Sequence, residues 1–218
     1  MKELFVSSIR HKPITLAPPL DGSVDAPAGL HWGLSIDELV AGLKNRGAVL
    51  EQKTKEAGKT VVTLRGGSFG GQTVDLWTAS FVDSGLFELS IQFYSATSDT
   101  MNIFRTVQKS LVGKYGKPNV IQDHGFSRLN LNADYSERLH DYYAADGRFW
   151  RALNNLQADY AHGVANDALQ VVARWAYKNS DKITLHAVGN SDVLLVYTNG
   201  VGASQKSSVN AAEAAKDF

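Results

Sequence analysis

Cysteine is absent from the 218 residues of the chain, which excludes disulfides, thiol nucleophiles and thiolate metal sites. No apolar run approaches the ~20 residues that a membrane helix needs, so no transmembrane segment is expected. An excess of one charge is missing too, since 22 Lys and Arg balance 22 Asp and Glu. Without a global field, neither nucleic acid nor an anionic membrane is an expected partner. Proline is scarce and uneven: four of the five, Pro13, Pro18, Pro19 and Pro27, fall within residues 1–30. That stretch reads as an extended arm with a short strand near Phe5 and Ile9. Arg10, His11 and Lys12 interrupt the N-terminal apolar residues before they reach signal-peptide length. The expected location is therefore the periplasm or cell envelope if a leader has been trimmed, and otherwise the cytoplasm.

Caps, turns and periodicity are well represented. Ser35 with Glu38 makes a capping box, Leu34 and Leu39 are spaced as a hydrophobic staple, and Gly47 is placed as the left-handed C-cap of a helix over 35–46. Its buried stripe is Ile36, Leu39, Val40 and Leu43. Strands follow at 48–53, 60–65, 72–82 and 85–94, separated by Gly-rich turns. In the last of them Phe87, Leu89, Ile91 and Phe93 alternate with Glu88, Ser90 and Gln92, the pattern of a half-buried antiparallel strand. A second helix from Ser98 or Asp99 carries Met101, Phe104, Val107, Leu111 and Tyr115 on one face and ends at Gly116, with Pro118 barring continuation. Segments 119–122 and 126–132 read as a short hairpin, and sheet character returns at 171–178, 182–188 and 193–199.

Residues 133–167 break this rhythm. Asp134 and Glu137 repeat the capping-box spacing, and Phe149, Trp150, Leu153, Leu156 and Tyr160 share a helical face. The expected fold is α+β: a twisted antiparallel β-sheet with helices packed on one face and a helical insertion. The domain plan is an arm (1–30), one α+β domain (31–200) with its insert (133–167), and a flexible tail (201–218), read as disordered or as a frayed helix. The runs 39–52 and 107–122 both pass from helix through a Gly cap to a short strand ending in Gln, as two helix-plus-strands units would require.

Trp32-Gly33-Leu34-Ser35 opening a helix, Asp83-Ser84-Gly85-Leu86 turning into a strand, Tyr115-Gly116-Lys117-Pro118 closing a second helix, and Trp175, Ile183, Leu185 and Tyr197 near the end form a series. In that order it resembles small bacterial envelope proteins, some with the fold of beta-lactamase inhibitor protein, in which helices pack on one face of an antiparallel sheet. The insert at 133–167 departs from that pattern. The resemblance implies a binding or structural role in the envelope and transfers no catalytic residue.

Motifs that could carry chemistry each have a plainer account. Gly66-Gly67-Ser68-Phe69-Gly70 fits the G-x-S-x-G nucleophile elbow, and Asp181 and His186 follow in triad order. The elbow requires a strand-to-helix turn, whereas 72–77 alternates as a strand, so a flexible hairpin loop accounts for the glycines. Gly113-Lys114-Tyr115-Gly116-Lys117-Pro118 ends a helix where a phosphate loop would begin one. His11, His31, His124, His140, His162 and His186 are scattered, and no metal or cofactor is expected. Arg105, Lys109, Lys114, Lys117 and Arg128 read as a solvated outer face. The aromatics of the insert have two readings: its own core, or a recognition surface formed by Tyr142, Tyr143, Trp150, Arg151 and Tyr160. The expected function is a non-catalytic binding or protein-interaction module whose partner is another protein or a peptide or glycan. The alternative is a small hydrolase using Ser68.

Overall fold

A computed structural model describes residues 14, 15, 17–56, 58–94, 100–124, 170–188 and 192–214. Their elements in chain order are β1 (Ile14–Thr15), a 3-10 turn at Pro27–Gly29, α1 (Ile36–Lys44), β2 (Val49–Glu56), β3 (Lys59–Arg65), β4 (Ser68–Phe69), β5 (Gln72–Val82) and β6 (Gly85–Phe93). They continue with α2 (Thr100–Tyr115), β7 (Val120–His124), β8 (Gln170–Ala176), β9 (Lys182–Val188), β10 (Asp192–Thr198) and α3 (Gly200–Ala214).

Both capped helices end as their sequences dictate. The Ser35 side chain accepts from the Glu38 backbone while the Glu38 carboxylate accepts from the Ser35 backbone, completing the capping box of α1. At its other end Gly47, at φ +86°, donates to the Lys44 carbonyl, and Ala48 donates to Leu43. These are the paired bonds of a Schellman C-terminus, in which glycine escapes the penalty of the left-handed conformation. Gly116 closes α2 at φ +77° with its N–H on the Val112 carbonyl.

The sheet is antiparallel and open, running β1-β7-β8-β9-β10-β6-β5-β3-β2, with β4 paired to β5 off that path. It divides into two similar halves. A helix followed by a meander of four main strands occurs once as α1-β2-β3-β5-β6 and again as α2-β7-β8-β9-β10, and the halves join where β6 pairs with β10. The recurrence of helix, Gly cap and strand in the sequence is the trace of this architecture.

One core serves both halves. Leu39 and Leu43 of α1 and Phe104, Val107 and Leu111 of α2 are buried with Val62, Leu64, Trp77, Ala79, Leu89, Ile91, Ala173, Trp175, Ile183, Leu185, Leu195 and Tyr197. The strand register places Trp77 beside Ile91, Ile91 beside Leu195 and Leu195 beside Leu185, so these side chains fill one face of the sheet continuously across the join. Removing one such side chain costs about 2–5 kcal/mol through lost transfer energy and the cavity left behind. The two buried indoles keep their N–H groups paired, Trp77 with the Gly66 carbonyl and Trp175 with the Gly116 carbonyl.

Two terminal segments are tied to the domain by contacts distant in sequence. The tail from Val201, read as disordered or as a frayed helix, is helix α3 through Ala214. The Asn199 side chain accepts from the Gly202 N–H as a local cap, and the buried Asp181 carboxylate, 19 residues away, accepts from the Gly200 N–H. The absent side chain of Gly202 lets α3 press onto Phe87. The arm is equally tied down: β1 pairs with β7, Leu20 exchanges backbone bonds with Ala176 and Lys178, and Val24 is buried with its N–H on Asp181. The readings for Phe5 and Ile9, for 126–132 and for the insert at 133–167 lie outside the described residues.

Candidate functional site

The sequence motifs at Gly33 and Gly85 meet in space. Gly33 donates to the Leu86 carbonyl at 2.9 Å, and Leu86 donates to Leu34 at 3.0 Å, so the chain entering α1 is stitched to the start of β6. Gly85, at φ +96°, lies so close to Gly33 that any side chain on it would overlap the Gly33 backbone. This junction lines a cleft of about 930 Å³ bounded by the first turn of α1, the β2–β3 hairpin tip, the β5–β6 turn and α3.

Ile36 and Val82 supply apolar surface in the cleft, while Glu38, Lys55, Lys59 and Asp83 bring charges of both signs to its walls. The polar groups hold one another in place. The Ser35 N–H and hydroxyl both donate to the Glu38 carboxylate at 2.7 Å. Those bonds, the backbone one first, hold the Glu38 carboxyl below its ordinary range. Lys59 pairs with Glu56 at 2.9 Å, and the Ser84 hydroxyl donates to Gln205 of α3. The acidic residues Asp37 and Glu38 already occupy the positive end of the α1 dipole, which removes the electrostatic reason for an anion to bind there. Among the described residues no histidine lines the cleft. What remains is a preformed polar surface able to donate and accept hydrogen bonds, in which the Ser35–Glu38 hydroxyl–carboxylate pair is the capping box of α1.

The G-x-S-x-G glycines have a packing role. Gly66 and Gly67 adopt φ +81° and +88°, and a Cβ on Gly67 would lie 2.6 Å from the Arg46 carbonyl oxygen. Ser68 donates its N–H to that same carbonyl, and Trp77 caps Gly66, so the loop expected to be flexible is clamped between α1 and β5. Ser68 then enters β4 and pairs with Thr73, giving the hairpin context that its sequence surroundings announced. Asp181 lies elsewhere, its carboxylate taken by the Val24 and Gly200 N–H groups at 2.9 and 2.8 Å. His186 sits on β9, separated from β5 by β10 and β6. At about 4.8 Å per strand that is roughly 14 Å of sheet, so Ser68, Asp181 and His186 do not assemble.

Comparison with protein-family models, with curated proteins and with solved structures finds no match for this chain. The site therefore rests on its own geometry. Among the described residues no group of three or more His, Asp or Glu is placed to hold a metal ion, and no helix is long and apolar enough to cross a membrane. Tyr142, Tyr143, Trp150, Arg151 and Tyr160, the recognition residues expected from sequence, lie outside the described residues, as does Arg128. Along α2, Lys109 and Lys114 are exposed as expected, with the Lys114 ammonium 4.9 Å from the centre of the Tyr115 ring. Arg105 is only half-exposed, and burial lowers its pKa. The cleft itself went unseen in the sequence. Its signal was the pair of Gly-containing turns at 33 and 85, legible as turns but silent about their contact.

Proposed function

We propose that this chain is a non-catalytic binding or protein-interaction module whose cleft between α1, the β5–β6 turn and α3 receives a short polar peptide segment of another protein. The observation that carries this reading is the mutual fixing of the cleft's polar groups, Ser35 by Glu38, Ser84 by Gln205 and Lys59 by Glu56. Groups held in this way form a preorganised surface and lose little side-chain entropy when a ligand arrives. Apolar surface from Ile36 and Val82 beside donors, acceptors and both charges suits a peptide whose backbone and side chains present the complementary groups. A setting in the bacterial cell envelope is part of the proposal and is supported by the likeness of the cap-and-turn series to small envelope proteins.

Nuclear magnetic resonance titration of the ¹⁵N-labelled chain with pools of short polar peptides tests it. Shifts confined to Ser35, Asp83, Ser84 and Gln205, and abolished by Gln205→Ala, are expected. The same shifts produced by oligosaccharides and by no peptide would replace the ligand class. Ester hydrolysis by the chain that Ser68→Ala abolishes would replace the binding role with an enzymatic one.

A further inference from the structure

The outer edge of β2 is a second surface with a defined chemistry. β2 ends the sheet, no described strand lies beyond it, and all eight of its residues are exposed. Its counterpart in the second half of the fold is β7, which likewise follows a helix and a Gly cap. There the outer edge is occupied: β1, more than a hundred residues away in sequence, pairs Ile14 with Ile121 and Thr15 with Val120. The same architecture thus carries an added strand on one edge and, among the described residues, none on the equivalent edge.

The charges on β2 specify what would fit. Of its four charged residues, both acids are answered within the molecule, Glu51 by Arg65 at 3.1 Å and Glu56 by Lys59 at 2.9 Å. Lys53 and Lys55 have no ion-pair partner among the described residues and, being two apart on a strand, lie on the same side of the sheet. Val49 and Leu50, 68% and 47% exposed, add apolar surface at the start of the strand. The bulge between Leu50 and Gln52 leaves 52–56 as the regular stretch, paired through five successive partners to β3. Two unanswered lysines also discourage a second copy of the same edge, because like charges would be brought together.

We propose that the outer edge of β2 is a β-augmentation site for an extended acidic segment of another protein, with carboxylates at alternate positions facing Lys53 and Lys55. Main-chain hydrogen bonds along 52–56 would supply affinity and the two lysines the choice of partner. This surface meets the cleft at Lys55, which belongs to both, and is distinct from it at Lys53, which does not line the cleft.

The probe is an acetylated eight-residue peptide in which valine alternates with glutamate, compared with the same peptide carrying lysine for glutamate, in low salt. The intact chain is expected to bind the acidic peptide at least tenfold more tightly by fluorescence anisotropy, with amide exchange slowed along 52–56. Lys53→Glu, at an exposed position, should leave the thermal midpoint unchanged and abolish or invert the preference, while Asp83→Ala in the cleft leaves it intact. Equal affinity for the two peptides, binding of neither, a preference that survives Lys53→Glu, or protection elsewhere than β2 would each overturn the proposal.

Discussion

Gly33 and Gly85 touch backbone to backbone, and neither their sequence separation nor their separate turns announces it. A side chain on Gly85 would occupy the space of the Gly33 carbonyl, and the residue also holds φ +96°. Its contact fixes the angle at which the chain enters α1, and with it the position of Ser35 and Glu38 in the cleft.

Gly85→Ala should therefore cost at least about 2 kcal/mol, combining left-handed strain with a backbone overlap that no rotamer relieves. Gly113→Ala is the contrasting variant, because a Cβ there meets nothing within 4 Å and the residue lies inside α2. It should stabilise by about 0.5–1 kcal/mol. Urea denaturation of the two variants beside the parent chain checks both signs.

Asp181 connects three parts of the molecule by accepting from Val24 of the arm and from Gly200 at the start of α3, while its own N–H is held by the Asn179 side chain. Asp181→Ala leaves two N–H groups without their acceptor, at about 1–3 kcal/mol for each one that stays buried. The expected result is a loss of at least about 2 kcal/mol together with faster amide exchange through 200–214, read by hydrogen-exchange mass spectrometry. Exchange unchanged in α3 would show that the cap does not hold the helix.

Tyr197 gives the fold an alkaline limit. Burial foremost, and then its hydrogen bond and proximity to Tyr115, push its phenol well above the ordinary range, and burial raises Tyr177 in the same direction. An unfolded tyrosine ionises near pH 10 while the folded Tyr197 stays protonated, so its contribution is complete below about pH 10 and is lost progressively above it. Tyr197→Phe should weaken the fold at neutral pH by roughly 1 kcal/mol through the lost hydrogen bond. Its stability should then decline less steeply than the parent's above pH 10, so that the two curves converge. Urea titrations at pH 7, 9 and 11 measure the convergence, and parallel curves would contradict it.

Local chemistry made much of the fold legible. The capping box at Ser35, the C-caps at Gly47 and Gly116, and the spans Gln72–Val82 and Lys182–Val188 follow from side-chain period and cap geometry, interactions that reach only a few residues along the chain. The alternation of Phe87, Leu89, Ile91 and Phe93 was equally local, although the bulge opposite Ser80 and Phe81 that accompanies Phe87 and turns it toward α3 was not. For α3 the sequence left disorder and a frayed helix as alternatives, because one of its caps comes from Asp181, 19 residues from the Gly200 N–H it satisfies.

The sequence by itself determined the α+β class, the main helix ends and strands, and the core-facing side of the central strands, since each depends on neighbours within one turn or one hairpin. Only the tertiary structure decided that the two halves join through β6 and β10, that Gly33 meets Gly85 beside a polar cleft, and that Ser68 lies strands away from His186. Those relations are set by how distant segments close-pack around one core, and no local pattern encodes which distant backbone a glycine makes room for.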